Sequence, residues 1–276
     1  MKILFTLAVM VFGCVLPSIC GSEAEILVKK LKQEATAGKG VAKGGREVAE
    51  KLQAIGAGAV PYLLPLLRDK DEGVRRLASY TLRDIDGLTE QHLDALIESR
   101  RRGDGWIPPA IARIGTPKAV AFLVDELVRE RQTQNQITWA IEILGPKAVP
   151  HLVQVYQTNT NWDENLETTM RSVFGTLGAK AAEAIDPLLQ MANDDTLSKD
   201  KRLRAIAAVG YIGLPAERSV PQLQQLQEHG DAQIRERVTS AILNIGSAEA
   251  APLLVQKLQQ MADPTNAYFS CVTSPF

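Results

Sequence analysis

The segment Ile55-Gly56-Ala57-Gly58-Ala59-Val60-Pro61-Tyr62-Leu63-Leu64-Pro65-Leu66-Leu67-Arg68-Asp69-Lys70-Asp71-Glu72-Gly73-Val74-Arg75-Arg76-Leu77-Ala78-Ser79-Tyr80-Thr81-Leu82-Arg83-Asp84-Ile85-Asp86-Gly87 decides the fold. From Ala59 to Leu67 the apolar positions recur at helical spacing. Pro61 is compatible with a helix only in its first turn, where its missing N–H has no partner to lose, so the helix starts near Val60. Arg68 to Gly73 is a polar break. Val74, Leu77, Ala78, Leu82 and Ile85 then form a second apolar stripe at offsets of three, four and seven. The spacing predicts a hairpin of two helices that closes at Gly87.

The same unit recurs along the chain. An aliphatic residue precedes glycine at Ile55-Gly56, Ile114-Gly115, Leu144-Gly145, Leu177-Gly178, Ile212-Gly213 and Ile245-Gly246, with Ile85-Asp86-Gly87 as a degenerate member; the glycines lie 31, 28, 30, 33, 35 and 33 residues apart. Each is read as the residue past a helix C-terminus, where the left-handed backbone favours glycine. Ala148-Val149-Pro150, Ile185-Asp186-Pro187, Ser219-Val220-Pro221 and Ala251-Pro252 open further first helices, and Ala119-Val120-Ala121 is the copy without proline. An Asp stands three residues before the first aliphatic of most second helices, at Asp71, Asp104, Asp163, Asp200 and Asp231, placed to accept from unpaired N–H groups. An Arg follows four residues later at Arg75, Arg204 and Arg235. The expected fold is all-α: seven helical hairpins from Glu23 to Gly246, then one helix over residues 248–262 whose Gln256, Gln259 and Gln260 suit a capping outer face.

This Asp-x-x-aliphatic-Arg spacing, with the prolines and closing glycines, resembles the HEAT repeat, and the shorter units are similar to the HEAT-like class of phycobilin lyases. The resemblance covers about residues 23–262. It implies an α-α superhelix of solenoid type in which Asp71, Arg75, Asp200, Arg204, Asp231 and Arg235 are structural, stacked as a ladder between successive repeats. Departures are visible. Trp106-Ile107-Pro108-Pro109 puts Pro108 at the Arg position, so that helix starts late or kinks; Gln134 replaces the Asp of another unit, and Glu167 rather than Arg follows Leu166.

The 276 residues are 45% hydrophobic and 23% charged with a net charge of -1, so no bulk charge draws the chain to nucleic acid. Residues 1–22 differ from the rest. Lys2 is their single charge, Ile3 to Phe12 is apolar, and Pro17 to Ser22 is a small-residue exit, the layout of a secretory signal peptide and too short an apolar run to span a bilayer. Cleavage after Cys20, Gly21 or Ser22 is equally open. Val11-Phe12-Gly13-Cys14 loosely resembles a lipoprotein box, but the residues after Cys14 are apolar where a polar tether is expected. The expected location is extracytoplasmic, periplasmic or secreted, with no integral membrane span in the mature chain. Processing would leave Cys271 alone, unable to form an internal disulfide. Residues 263–276 carry no helical period, and Tyr268, Phe269, Val272 and Phe276 either fold back or stay loose.

Few residues stand at the spacing of a catalytic or metal site. His92, His151 and His229 lie in separate repeats without ligand spacing, so no metal or cofactor is expected. The loop Gly38 to Gly45 lacks the Gly-Lys-Ser/Thr ending of a phosphate loop and reads as a turn. Arg100-Arg101-Arg102 reads as a solvated turn between helices. Counted from the first aliphatic of each second helix, the second and sixth following positions should face outward on the concave side: Arg76, Pro109, Trp139, Thr168, Ala205 and Glu236, then Tyr80, Arg113, Ile143, Ser172, Val209 and Ser240. Arg76, Tyr80 and Trp139 are the candidate partner contacts, although Trp139 also suits packing between hairpins. The function expected is a non-catalytic, monomeric scaffold for a protein or peptide partner. Its alternatives are a chaperone or lyase of chromophore attachment and a lipid-anchored subunit of an envelope complex.

Overall fold

The computed structural model describes residues 23–37, 43–130, 136–248, 250–252, 255 and 259. Residues 1–22, where a signal peptide is expected, with Cys14 and Cys20, residues 38–42 of the glycine-rich loop, Gln134 and the tail 263–276 with Cys271 lie outside them. The described residues are helical and contain no strand. They form two compact units, the first ending at Leu144 and the second beginning at Gly145. Each unit is a stack of helical hairpins, the all-α, α-α solenoid class.

The first unit holds α1 (23–36), α2 (Lys43–Ile55), α3 (Val60–Leu63), α4 (Glu72–Arg83), α5 (Glu90–Arg101), α6 (Pro108–Ile114), α7 (Pro117–Glu130) and α8 (Gln136–Leu144). Because α2 begins at Lys43, Gly44 and Gly45 belong to a helix rather than to the preceding turn. Pro61 sits in the first turn of α3, as its missing N–H requires. Pro65, four residues on, cannot donate to the carbonyl of Pro61, and the chain tightens into a 3-10 turn over Leu64–Arg68. Along the stack α4 lies against α2 and α6, and α6 lies against α8.

The second unit holds α9 (Val149–Thr158), α10 (Glu164–Leu177), α11 (Ile185–Asn193), α12 (Lys199–Ile212), α13 (Val220–Gln225) and α14 (Ala232–Ile245), with 3-10 turns leading into α9, α11 and α13. Here α12 is central, packed on α10, α11 and α14. Every residue from Ala205 to Ile212 is therefore buried, including Ala205 and Val209, which an amphipathic reading of α12 turns outward.

All seven glycines that mark the repeat have positive φ, from 48° at Gly178 to 86° at Gly87. The caps are more varied. Asp71, Asp163 and Asp231 precede α4, α10 and α14 and accept from the N–H of Val74 (3.0 Å), Leu166 (2.8 Å) and Gln233 (2.8 Å). Arg75 and Arg235, four residues past their caps, reach back within their own hairpins: Arg75 Nη1 donates to the Asp69 carbonyl at 2.8 Å and Arg235 Nη1 to that of His229 at 2.7 Å. They hold the turn of one hairpin, which differs from a ladder between repeats. Side-chain pairs that join neighbouring hairpins at these turns include Lys32 with Asp69 at 2.8 Å and Lys199 with Asp231 at 3.3 Å.

Asp200 and Arg204 do not occupy these places. Ser198 caps α12, accepting from Lys201 N–H, and Arg202, four residues on, is buried with Nε donating to the Ala192 carbonyl at 3.0 Å. Asp200 lies inside the first turn. The register follows from the closing glycine: Asp163 and Asp231 stand fifteen residues before Gly178 and Gly246, and Ser198 stands the same distance before Gly213. Asp104 is displaced in another way. Its carboxylate accepts from Ser99 Oγ, and α6 begins late, at Pro108, the first position where the two prolines fit a helix.

Candidate functional site

The three expected contact residues separate. Arg76 is exposed on α4, paired with Glu72 at 2.5 Å, and lines an open cleft of about 750 Å3 together with Arg75, Ser79, Arg102 and Trp106. Tyr80, one turn further along α4, turns inward and is only 8% exposed. Trp139 on α8 is half-buried. Tyr80 and Trp139 converge on Arg83, a residue outside the expected contact strip.

Arg83 places its guanidinium carbon 4.6 Å from the centroid of Tyr80, 5.3 Å from Trp106 and 5.4 Å from Trp139. Tyr80 and Trp106 meet edge to face at 5.6 Å. A cation within about 6 Å of an aromatic face gains roughly 0.5–1 kcal/mol at partly exposed sites, so three rings hold this side chain firmly. Asp84 accepts from Arg83 Nε at 2.6 Å and from Arg113 Nη2 at 3.2 Å, while Arg113 Nε donates to the Arg83 carbonyl at 3.1 Å. The cluster spans α4, the entry to α6, and α8. It carries two cations against one carboxylate, framed by half-buried indole rings. The local signal for Arg83 is its position three residues after Tyr80 on one helix face; Trp106 and Trp139 join only through packing of α4, α6 and α8.

The second unit builds a different network. Glu167 on α10 accepts from Trp162 Nε1 at 2.8 Å and from Tyr211 Oη at 2.6 Å. Arg171 Nη2 donates to Tyr211 Oη at 3.4 Å with its guanidinium 5.0 Å from that ring, and Arg204 lies 5.1 Å from the Trp162 ring. Arg204 thus faces an indole rather than the turn carbonyls. Beneath them Tyr156 packs at a tilt against Trp162, centroids 4.7 Å apart, and edge to face against Phe174 at 5.8 Å, its buried hydroxyl without a hydrogen-bond partner among the described residues.

Burial above all, and then the nearby Glu167, push the Tyr156 phenol well above its usual value of 10.0; Tyr211 is raised by the same two causes. A raised phenol contributes its stability below the unfolded value and loses it as pH climbs toward the folded one. Stability should therefore fall as pH rises above about 10, because unfolded tyrosines ionise first. Tyr156→Phe should flatten that fall and gain about 1 kcal/mol at neutral pH by removing an unsatisfied buried hydroxyl. Urea midpoints at two pH values measure both effects; an unchanged alkaline slope contradicts the assignment.

The basic run is not a solvated turn. Arg100 is 10% exposed and donates from Nε to Glu126 at 3.0 Å, and the exposed Arg102 donates from Nη2 to the Leu67 carbonyl at 2.9 Å; Arg101 is exposed as well. Of the histidines, His92 Nδ1 accepts from Thr89 N–H and His229 Nδ1 from Asp231 N–H, both at 3.0 Å, so each closes a turn. Among the described residues no three His, Cys, Asp or Glu side chains form a group able to hold a metal, and no helix is long and apolar enough to cross a membrane. Pro109, Ala205 and Val209 of the expected outward strip are buried, while Arg76, Arg113, Thr168 and Glu236 are exposed.

No protein-family model and no curated protein sequence matches this chain. Among solved structures it is similar to a designed armadillo repeat protein, at 19% identity and a TM-score of 0.28, over 82% of this chain and 92% of that one. A likeness of that size leaves the fold to be read from the helices themselves.

Proposed function

We propose that the chain is a non-catalytic scaffold of the HEAT type, exported from the cytoplasm and acting as a monomer without cofactor, that holds a protein or peptide partner on its second helices. The observation that supports this reading best is the Arg83 cluster. Two indoles, a tyrosine and paired arginines gathered on adjacent helices are the residue types in which binding energy concentrates. The recurring residues are occupied with caps, turns and core, which leaves the variable second-helix positions for recognition. Export rests on the charge and apolar pattern of residues 1–22.

Affinity capture from the envelope fraction, followed by mass spectrometry, identifies the partner. The purified partner is then expected to bind the Trp139→Ala, Arg76→Ala double variant at least about tenfold more weakly, with the helical melt retained. Capture that survives both substitutions overturns the assignment. The mass of the mature N-terminus distinguishes signal cleavage from lipid attachment at Cys14.

A further inference from the structure

In the second unit an open depression of about 440 Å3 lies over α10, α12 and α14. Two arginines reach it and no carboxylate lines it. Arg237, half-buried on α14, makes no hydrogen bond or ion pair with any described residue. Arg171 on α10 has only the long contact to Tyr211 Oη and the face of that ring, and the Tyr211 proton is already given to Glu167. The Arg237 guanidinium therefore presents its five donors to the open depression, where an anion can accept from them.

The floor of the depression is nearly bare. Gly210 packs so closely on α14 that a Cβ there would stand 2.7 Å from the Ala241 Cα, and Gly175 contributes no side chain either. Ser240 and Asn244 add polar groups at the edge. A polypeptide backbone can settle on such a floor. The adjoining depression, which shares Arg237, is lined by Asp163, Glu164, Glu167 and Asp200. A polyanion approaching the arginines would meet those four carboxylates, whereas a single acid flanked by neutral or basic residues would not.

We infer that Arg171 and Arg237 bind the side-chain carboxylate of one acidic residue in a peptide segment of a protein partner, a site that rests on the scaffold reading above. Bidentate guanidinium–carboxylate pairing supplies the recognition. The test is a titration with the peptide acetyl-Lys-Gly-Glu-Gly-Lys-amide, its Gln counterpart and inorganic phosphate, followed through the arginine Nε–Hε resonances. The Glu peptide should shift Arg171 and Arg237, with the Gln peptide and Arg237→Gln each weakening binding about tenfold. Ser240→Trp fills the depression while keeping both charges, and it should also block the peptide. Equal binding of the Gln peptide, indifference to both variants, or no shift overturns the site; phosphate shifting the same resonances as strongly makes it a general anion site and overturns the peptide assignment. Partner capture that needs Trp139 but not Arg237 defeats this inference alone, and failure to capture any partner defeats the scaffold reading instead.

Discussion

Gly87→Ala is expected to destabilise the chain by roughly 2–5 kcal/mol, whereas Gly56→Ala in the same unit should cost only about 1–2 kcal/mol. Both glycines have positive φ, 86° and 65°, and share the conformational penalty of an L side chain there. They differ in what the new methyl group meets. At Gly56 its nearest neighbour is the Asp86 carbonyl at an ordinary 3.8 Å; at Gly87 it would fall 2.4 Å from the Ala57 Cβ and 2.8 Å from its Cα. Neither Ala57 atom can swing aside, so the two ends of this hairpin must separate. Ala57→Gly should return part of the loss in the double variant, because it removes the nearer of the two obstacles, and the coupling between the two sites measures the close approach directly. Urea unfolding of the four chains gives the cycle. If Gly87→Ala costs no more than Gly56→Ala, the ends of the hairpin are not packed this tightly.

What could be read from the sequence follows the range of the forces involved. Proline in a first turn, glycine after a last turn and Asp before Val74, Leu166 or Ile234 act within a few residues, and the hairpins follow from them. Register is less local. The Asp-x-x-aliphatic-Arg pattern matches at Asp200 and Arg204, yet the cap falls on Ser198, because the helix must fit between its turn and Gly213 with Ile206 and Val209 inside. An outward strip drawn at constant spacing fails for the same reason wherever a helix starts early, as α12 does, or late, as α6 does at Pro108. Of the candidate site, Trp139 is singled out by its place in the outward strip and by its residue type. Tyr80 turns inward, and Arg83 gains its role only when α4, α6 and α8 bring three rings from distant positions around it.

The charged residues show the same limit, and they carry the other large expected effect. Arg100-Arg101-Arg102 reads as one solvated run, but packing sorts its members, and Arg100 enters the interior against Glu126 on α7. The two side chains are 10% and 8% exposed; Arg100 Nε donates to one carboxylate oxygen at 3.0 Å and Arg129 Nε to the other at 2.9 Å. Glu126→Ala is expected to cost about 3–5 kcal/mol, since it removes a buried carboxylate that two arginines share and leaves their charges facing one another. Arg100→Met with Glu126→Leu should instead be neutral, or more stable by about 1–4 kcal/mol, because apolar side chains of similar volume carry no desolvation penalty. The contrast between single and double replacement separates a pair that stabilises the fold from one that is merely tolerated in it. Should Glu126→Ala stay within about 1 kcal/mol of the parent in urea unfolding, Arg100 must be able to leave the interior by way of the exposed turn at Arg101 and Gly103, and the run would behave as the solvated segment its sequence describes.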